Sequence, residues 1–237
     1  MYPLGSLFNF VSRNLKMKKT TLALAMGLMI SGAANAALEA NIGATSNYMF
    51  RGVTLSDKDA AVSGGLDYSS ESGGYAGTWM STMTSANGEE VDFYAGFSKD
   101  DYDLGVIYYY YPDQTDADYA EIYGSYTMGA ITASMAYTPW SQVDDTAAQE
   151  SFIKGDIYYS LAASAELSDG WGVTGTIGYM DFEDDGVAGT DTSYAHMQLD
   201  LTKTAGDFGD VTFSLSKADA ESGDDDPAFF VSLSKSF

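Results

Sequence analysis

Apolar and polar side chains alternate with a period of two through most of this sequence. The clearest run covers residues 38–51, where apolar or small side chains take the even positions and mostly polar ones the odd positions. Successive side chains of a β-strand point to opposite faces, so this pattern predicts a strand with one apolar and one polar face, extending from 38 to 51.

The alternation occurs in about twelve segments of roughly ten residues each. After residue 37 no apolar run approaches the roughly 18 residues that a membrane-spanning helix requires. These segments predict an all-β fold. Because their number is even, we expect a closed antiparallel transmembrane β-barrel of about 12 strands. A soluble β-sandwich also alternates and stays open on periodicity alone. The predicted segments are 38–51, 62–68, 75–79, 91–97, 102–110, 122–126, 131–137, 157–165, 171–179, 195–201, 211–215 and 229–237.

The connectors between these segments alternate in length, which distinguishes a membrane barrel from a sandwich. Outer-membrane barrels have short periplasmic turns and longer extracellular loops. Acidic residues are frequent in the long class, at 144–145, 183–185 and 221–226, and solvated loops have this composition. The short connectors are 69–74, 98–101, 128–130 and 168–170, and the longest are 138–153 and 181–193.

Aromatic residues gather near the strand ends, as expected for girdles at the two membrane interfaces. The chain also ends on an aromatic residue within an alternating strand, a feature by which the assembly machinery of the outer membrane recognises its barrels. Lys235, two residues earlier, departs from the usual apolar residue, but its side chain can snorkel to the interface. The predicted girdles comprise Phe50, Trp79, Tyr110, Tyr137 and Tyr179 at one level and Tyr68, Tyr75, Phe97, Tyr102, Trp171 and Phe237 at the other.

The N-terminal region has the organisation of a secretory signal peptide. Lys18 and Lys19 precede an apolar stretch at 22–30, and an A-x-A cleavage motif ends at Ala36. We predict a start at Met17, a signal peptide over 17–36 and a single barrel domain over 37–237. Residues 1–16 are then an upstream extension or an added segment. Together with the barrel pattern, export of this kind predicts that the mature chain lies in the bacterial outer membrane.

The charge of the mature chain excludes several classes of function. Residues 1–36 contain four of the 11 basic residues and none of the 34 acidic ones, so the net charge after cleavage is −27. Nucleic-acid binding requires clustered Lys and Arg, which are absent. Cysteine is also absent, which excludes disulfides and cysteine metal sites.

No catalytic, cofactor-binding or metal-binding site is predicted. The single histidine, His196, shares a strand face with Asp200, but four residues of strand separate them by about 13 Å. No nucleophile elbow or phosphate-binding glycine loop occurs. The acidic run 223–226 lacks the spacing of a calcium loop.

The polar faces of the predicted strands define the lumen, where acidic residues outnumber basic ones. Twelve strands enclose a narrower space than the 16 to 18 strands of large porins, and inward tyrosines narrow it further. We therefore expect a narrow, weakly cation-selective pore for passive diffusion of small solutes. The candidate pore-lining residues are Asn47, Arg51, Asp67, Asp92, Tyr94, Asp103, Tyr109, Glu121, Tyr123, Tyr158, Glu166, His196 and Asp200.

Two alternatives remain open at this stage. Arg51, expected at the height of Asp92 and Glu121, either creates a transverse field across a constriction or neutralises buried acids and ties strands together. The barrel as a whole could instead be non-conducting and act as a surface receptor or an envelope-structural protein, with divalent cations bridging its acidic loops to lipopolysaccharide. We expect a monomer, because a closed barrel has no free edges.

Several motifs of the first half of the mature chain resemble those of the TorF family of bacterial porins. The resemblance implies an outer-membrane barrel and a link to trimethylamine-oxide respiration through the family name, without fixing the solute or any site residue. After Tyr137 the likeness is diffuse. The motifs are S-N-Y-M-F-R-G at 46–52, G-G-L-D-Y at 64–68, Y-A-G-T-W at 75–79, D-F-Y-A-G-F at 92–97, Y-Y-P-D at 110–113 and E-I-Y-G-S at 121–125.

Overall fold

The computed structural model describes residues 37–143, 151–183 and 192–237. The predicted signal peptide and the acidic residues at 144–145 and 184–185 lie outside these ranges. Within them, no helix has both the length and the apolar character needed to cross a membrane.

Twelve antiparallel strands of 9 to 11 residues form one closed barrel, as the alternation predicts. Each strand pairs with its neighbours in the chain, and the first strand pairs with the last to close the sheet. Two further strands of two residues form a small hairpin of their own. The strands are β1 Ala37–Thr45, β2 Met49–Phe50, β3 Val53–Thr54, β4 Ala61–Ser69, β5 Gly74–Thr82, β6 Glu89–Lys99, β7 Tyr102–Tyr110, β8 Tyr119–Met128, β9 Ile131–Ser141, β10 Ile157–Glu166, β11 Trp171–Asp181, β12 Tyr194–Thr204, β13 Asp210–Ala218 and β14 Ala228–Ser236.

The outer wall of the barrel is apolar and the inner wall polar and aromatic. On β7, Leu104 is 62% exposed on the outside, whereas Tyr109, on the inward face, is 6% exposed. An aqueous protein does not leave a continuous apolar wall exposed, whereas a barrel in lipid requires one. Eleven of the twelve barrel strands have the predicted face outward.

The two ends of the barrel differ. Connections of two to five residues join the strands at one end, and connections of six to fifteen residues join them at the other. We call these the short-turn end and the long-loop end. Both ends of the described barrel sequence lie at the short-turn end, where the Phe237 N–H donates to the Ala40 carbonyl at 2.9 Å.

The seam between β1 and β14 joins residues distant in sequence. Ser46 N–H donates to the Val231 carbonyl at 2.9 Å, and these two residues are 185 positions apart. Five residue pairs form the ladder there, from Asn41↔Ser236 to Thr45↔Ser232.

The first predicted strand is too long. It ends at Thr45, and the segment 46–60 leaves the wall before returning as β4. Asn47 and Arg51 therefore lie on a loop, not on a strand, and Phe50 belongs to no interface girdle. The alternation continued past the strand end because β2 is itself extended.

The fifth strand has the opposite face outward from the one predicted. Gly77 pairs with Asp67 on one side and Tyr94 on the other, both of which face the lumen. A Cβ on Gly77 would lie 2.5 Å from the Tyr94 ring, so this glycine makes room for the tyrosine. Tyr75 and Trp79 consequently face inward and are not girdle residues.

Candidate functional site

The loop 46–60, which we call the inner loop, folds into the barrel from the long-loop end. Its hairpin of β2 and β3 has Arg51 and Gly52 at the tip, with φ of 50° and 91°. Positive φ at both central residues is the requirement of a type I′ turn. Arg51 is 7% exposed and Ser56 is fully buried, so the wall encloses this loop.

The inner loop contacts opposite parts of the wall. Its Tyr48 hydroxyl donates to Glu90 of β6 at 2.6 Å, and the Thr54 N–H donates to Asp224 at 3.0 Å. A Cβ on Gly52 would lie 2.5 Å from the Cβ of His196 on β12. The hairpin therefore spans the lumen from β6 to β12.

Arg51 forms a bidentate ion pair with Glu121 of β8, with both nitrogen–oxygen distances at 2.7 Å. Its guanidinium carbon lies 4.4 Å from the centroid of the Tyr158 ring on β10 and 4.6 Å from that of Phe50. Tyr109 donates a further bond to Glu121 at 3.1 Å. Planar guanidinium groups suit this combination of a two-point carboxylate contact and aromatic stacking.

Two more buried carboxyl groups lie near this ion pair on β6. Glu90 accepts hydrogen bonds from Tyr48 at 2.6 Å and from Tyr111 at 2.8 Å. Asp92, on the same face, is 4% exposed, and its Oδ1 has no hydrogen-bond partner among the described residues. Three buried carboxyl groups thus accompany one guanidinium.

Below the ion pair, toward the short-turn end, tyrosines and aspartates bond to one another across β4 to β8. Tyr94 donates to Asp67, which also accepts a bond from Asn41 at 2.9 Å. Tyr75 donates to Asp103 at 2.7 Å. The Tyr75 and Tyr123 hydroxyls are 2.6 Å apart.

Toward the short-turn end, the opposite inner wall, formed by β11 to β14, is lined by small hydroxyl side chains, whereas Met180, Tyr194 and Phe230 are buried on it nearer the long-loop end. Thr202 and Thr212 are hydrogen-bonded at 2.9 Å, and Ser214 donates to Asp200 at 2.6 Å. Tyrosines occupy the equivalent depth on the other side, so the lumen is bulky on one side and lined by small groups on the other. Further small inward residues of this wall are Thr174, Thr176, Ser216 and Ser232.

His196 lies on this wall nearer the long-loop end. The Nε2 atom is 2.8 Å from the Tyr158 hydroxyl, and the two rings stack with their planes 12° apart. His196 and Asp200 have separate partners, since Asp200 bonds to Gln198 and Ser214. No group of three His, Asp or Glu residues among the described ranges could hold a metal ion.

The structure brings most of the sequence-predicted lining residues to the inner wall. Glu166 is the exception: it is the last residue of β10 and is exposed at the short-turn rim. Asn47 and Arg51 reach the interior on the inner loop. The residues on strands that face inward are Asp67, Asp92, Tyr94, Asp103, Tyr109, Glu121, Tyr123, Tyr158, His196 and Asp200.

Sequence reasoning missed Tyr48, Tyr75, Trp79, Glu90 and Tyr111. Glu90 was detectable, because it lies two residues from Asp92 and therefore on the same strand face. Tyr48 and Tyr111 follow strand ends, where alternation carries no information about direction.

Several solved structures of porins and outer-membrane proteins resemble this chain at low sequence identity. The NanC porin is 11% identical with a TM-score of 0.47, covering 84% of this chain and 98% of that one. An outer membrane channel from Pseudomonas putida F1 is 11% identical with a TM-score of 0.48, covering 86% and 96%. OprD from Pseudomonas aeruginosa is 13% identical with a TM-score of 0.40, covering 84% and 65%.

A search of the curated proteins found no match. A family profile, by contrast, matches residues 30–235, which include every strand of the barrel except the last residue of β14. The chain therefore belongs to the Gcw_chp family, described as bacterial proteins of unknown function.

Proposed function

We propose that this protein is a porin-like channel of the bacterial outer membrane for passive diffusion of small solutes, narrow and weakly cation-selective. The inner loop forms its constriction. The observation that carries the proposal is the Arg51–Glu121 ion pair, which holds that loop across an acid-rich lumen. The signal peptide that the sequence predicts over 17–36, with cleavage after Ala36, and the resemblance to the TorF porins are consistent with this location.

The charge distribution on the inner wall supports cation selectivity. Arg51 is the only buried basic side chain of the described residues, and Glu121 compensates it. Glu90, Asp92 and Asp200 remain as buried acids without a basic partner in those ranges. Acidic rings in a lumen with low-dielectric walls concentrate cations and repel anions.

In the half toward the short-turn end, the solute follows the side of the lumen lined by β11 to β14, where the side chains are smallest. Its serines and threonines supply hydrogen-bond donors and acceptors without bulk, whereas tyrosines fill the side formed by β5 to β8. A small polar solute passing there would exchange its bonds to water for bonds to hydroxyl groups.

The test is the current through the purified protein in a planar bilayer under a potassium chloride gradient at neutral pH. We expect discrete steps whose reversal potential lies on the cation-selective side. Reversal on the anion-selective side would contradict the assignment of the lumen charge.

A second candidate function is that of a non-conducting receptor or envelope-structural barrel. The observation that favours it is the burial of the inner loop, whose Ser56 is fully enclosed. Silent bilayers with folded protein, as judged by its mobility before and after heating, would favour this function. In either role we propose a monomer that contacts outer-membrane lipid and lipopolysaccharide and is assembled through recognition of Phe237.

A further inference from the structure

All four lysines of the barrel strands point away from the lumen. Lys99 pairs with the exposed Tyr102, and Lys235 pairs with Ile42, which is 56% exposed on the outer wall. Lys203 pairs with Trp171. Lys217, the fourth, pairs with the exposed Met197 near the long-loop end. The strand acids in the half of the barrel near the short-turn end point the other way, into the lumen.

Three of these lysines, Lys99, Lys203 and Lys235, lie at the short-turn end, and we call them the basic rim. The strand acids of that half face inward, as Asp67, Asp103 and Asp200 do. The described strand acids on the outward face are Glu89 and Asp181, both at the long-loop end. The outer wall is thus positive at one end of a strongly acidic protein.

Each lysine of the basic rim lies next to an aromatic ring. The Lys203 ammonium is 5.6 Å from the centroid of Trp171, and that of Lys235 is 5.0 Å from Phe237. Lys99 is the register partner of Tyr102. Aromatic rings of this kind mark the level of the lipid headgroups.

Two of the ammonium groups are also held by neighbouring turns. Lys203 donates to the carbonyl of Asp169, and Lys235 donates to that of Asp207 at 2.5 Å. An ammonium has three N–H donors, so one such bond leaves two for a further acceptor. The turns therefore position the ammonium groups at the rim and leave N–H donors available to bind another acceptor.

We propose that the basic rim binds the phosphate groups of anionic glycerophospholipids in the periplasm-facing leaflet. Charge complementarity supports this occupant, because the charges of the outer wall on the described strands at this level are all positive. The exposed acids of the adjoining turns, Asp100, Asp101, Asp169 and Asp207, lie beyond the strand ends. Each juxtamembrane lysine raises the local preference for anionic lipid by roughly fivefold when fully engaged. The inference rests on the proposed membrane location and is independent of conduction.

The test uses fluorescence quenching by brominated lipids. In a W79F/W140F background Trp171 is the only tryptophan, and it lies beside Lys203. The protein is inserted into vesicles of equal parts phosphatidylglycerol and phosphatidylcholine, with either lipid brominated. We expect the ratio of apparent affinities, phosphatidylglycerol over phosphatidylcholine, to be about fivefold or more.

The triple variant K99Q/K203Q/K235Q should lower this ratio to about one. The matched control is K58Q/K154Q/K217Q, which removes the same charge from two exposed loop residues and from the outer wall at the other end. It should retain the ratio. An unchanged ratio in the rim variant, or an equal loss in the control, would overturn the proposal. Failure of the parent protein to insert into either kind of vesicle would instead contradict the membrane location.

Discussion

Arg51 and Glu121 depend on each other, because each is buried and charged. Removing one partner of a buried ion pair typically costs about 3–5 kcal/mol, since the other charge then lacks compensation. The structure adds the aromatic rings of Phe50 and Tyr158, whose centroids lie 4.6 and 4.4 Å from the guanidinium carbon. These rings stabilise a cation but cannot replace the carboxylate.

The substitution Glu121→Gln should therefore lower the free energy of unfolding by about 3–5 kcal/mol and increase single-channel conductance as the inner loop loosens. The double variant R51Q/E121Q should be more stable than E121Q, because neither charge is left alone. Urea unfolding in detergent and planar-bilayer recording measure the two effects. The control is Lys58→Gln, an exposed base of the same loop; an equal effect there would refute the role of the ion pair.

Asp156 joins two long loops. Its side chain accepts the Ile153 N–H at 3.1 Å and the Glu183 N–H at 3.0 Å. Burial raises the pKa of Asp156 to about 6 from its ordinary value of 3.8, against the opposing effect of these N–H donors. The folded protein thus binds this proton more tightly than the unfolded chain does.

The stabilisation from the Asp156 proton is therefore complete below about pH 4 and is lost as the pH rises through about 6. We expect hydrogen exchange in residues 151–156 to become faster across this window, after correction for the intrinsic rate. Asp156→Asn should remove that change. An exposed loop acid, changed in Asp116→Asn, serves as the control; a persistent pH dependence in the Asp156 variant would assign it to another group.

At the scale of elements, the direction of β5 is set by Gly77. Both faces of this strand carry large apolar residues, Trp79 on one and Met80 on the other, so hydrophobicity alone does not select between them. Gly77 faces the lumen because the Tyr94 ring lies over it there, in space that a side chain at this position would occupy.

Gly77→Ala should accordingly destabilise the barrel by about 1–3 kcal/mol, because the added methyl group would displace Tyr94 and its bond to Asp67. Gly175→Ala on β11 should be nearly neutral, since nothing lies within 4 Å of its added Cβ. Thermal unfolding of both variants in the same detergent makes the comparison. Equal midpoints would contradict the inward direction of β5.

The inner loop is an element that the barrel can lose. Thr45 and Ala61, the residues that flank it, are already paired across β1 and β4. A two-residue Asn-Gly turn can join such a pair.

Replacing residues 46–60 by Asn-Gly, combined with Glu121→Gln because Arg51 is deleted with the loop, should keep the β-strand content measured by circular dichroism. It should raise single-channel conductance well above that of the parent protein. The reason is that the hairpin across the lumen is gone. Unchanged conductance in a folded variant would mean that the constriction lies elsewhere.

For the molecule as a whole, the alternation of side chains was sufficient to predict the closed barrel, the number of strands and most of the outward faces. The alternation did not predict the outward face of β5, because both faces of that strand carry large apolar residues such as Trp79. It also failed at Arg51, because an extended loop has the same period as the strand before it. Which loop enters a barrel depends on a partner distant in sequence, here Glu121, and no local pattern contains that information.

The seam between β1 and β14 has a consequence for the order of events during assembly. Until the last nine residues of the barrel have been synthesised, β1 has no partner on one side and exposes unpaired N–H and C=O groups along that edge. Contacts between residues 185 positions apart form slowly, because a long loop must close first. We therefore expect closure of the β1–β14 seam to be the slowest step of folding, and until it closes the open edge of β1 favours aggregation.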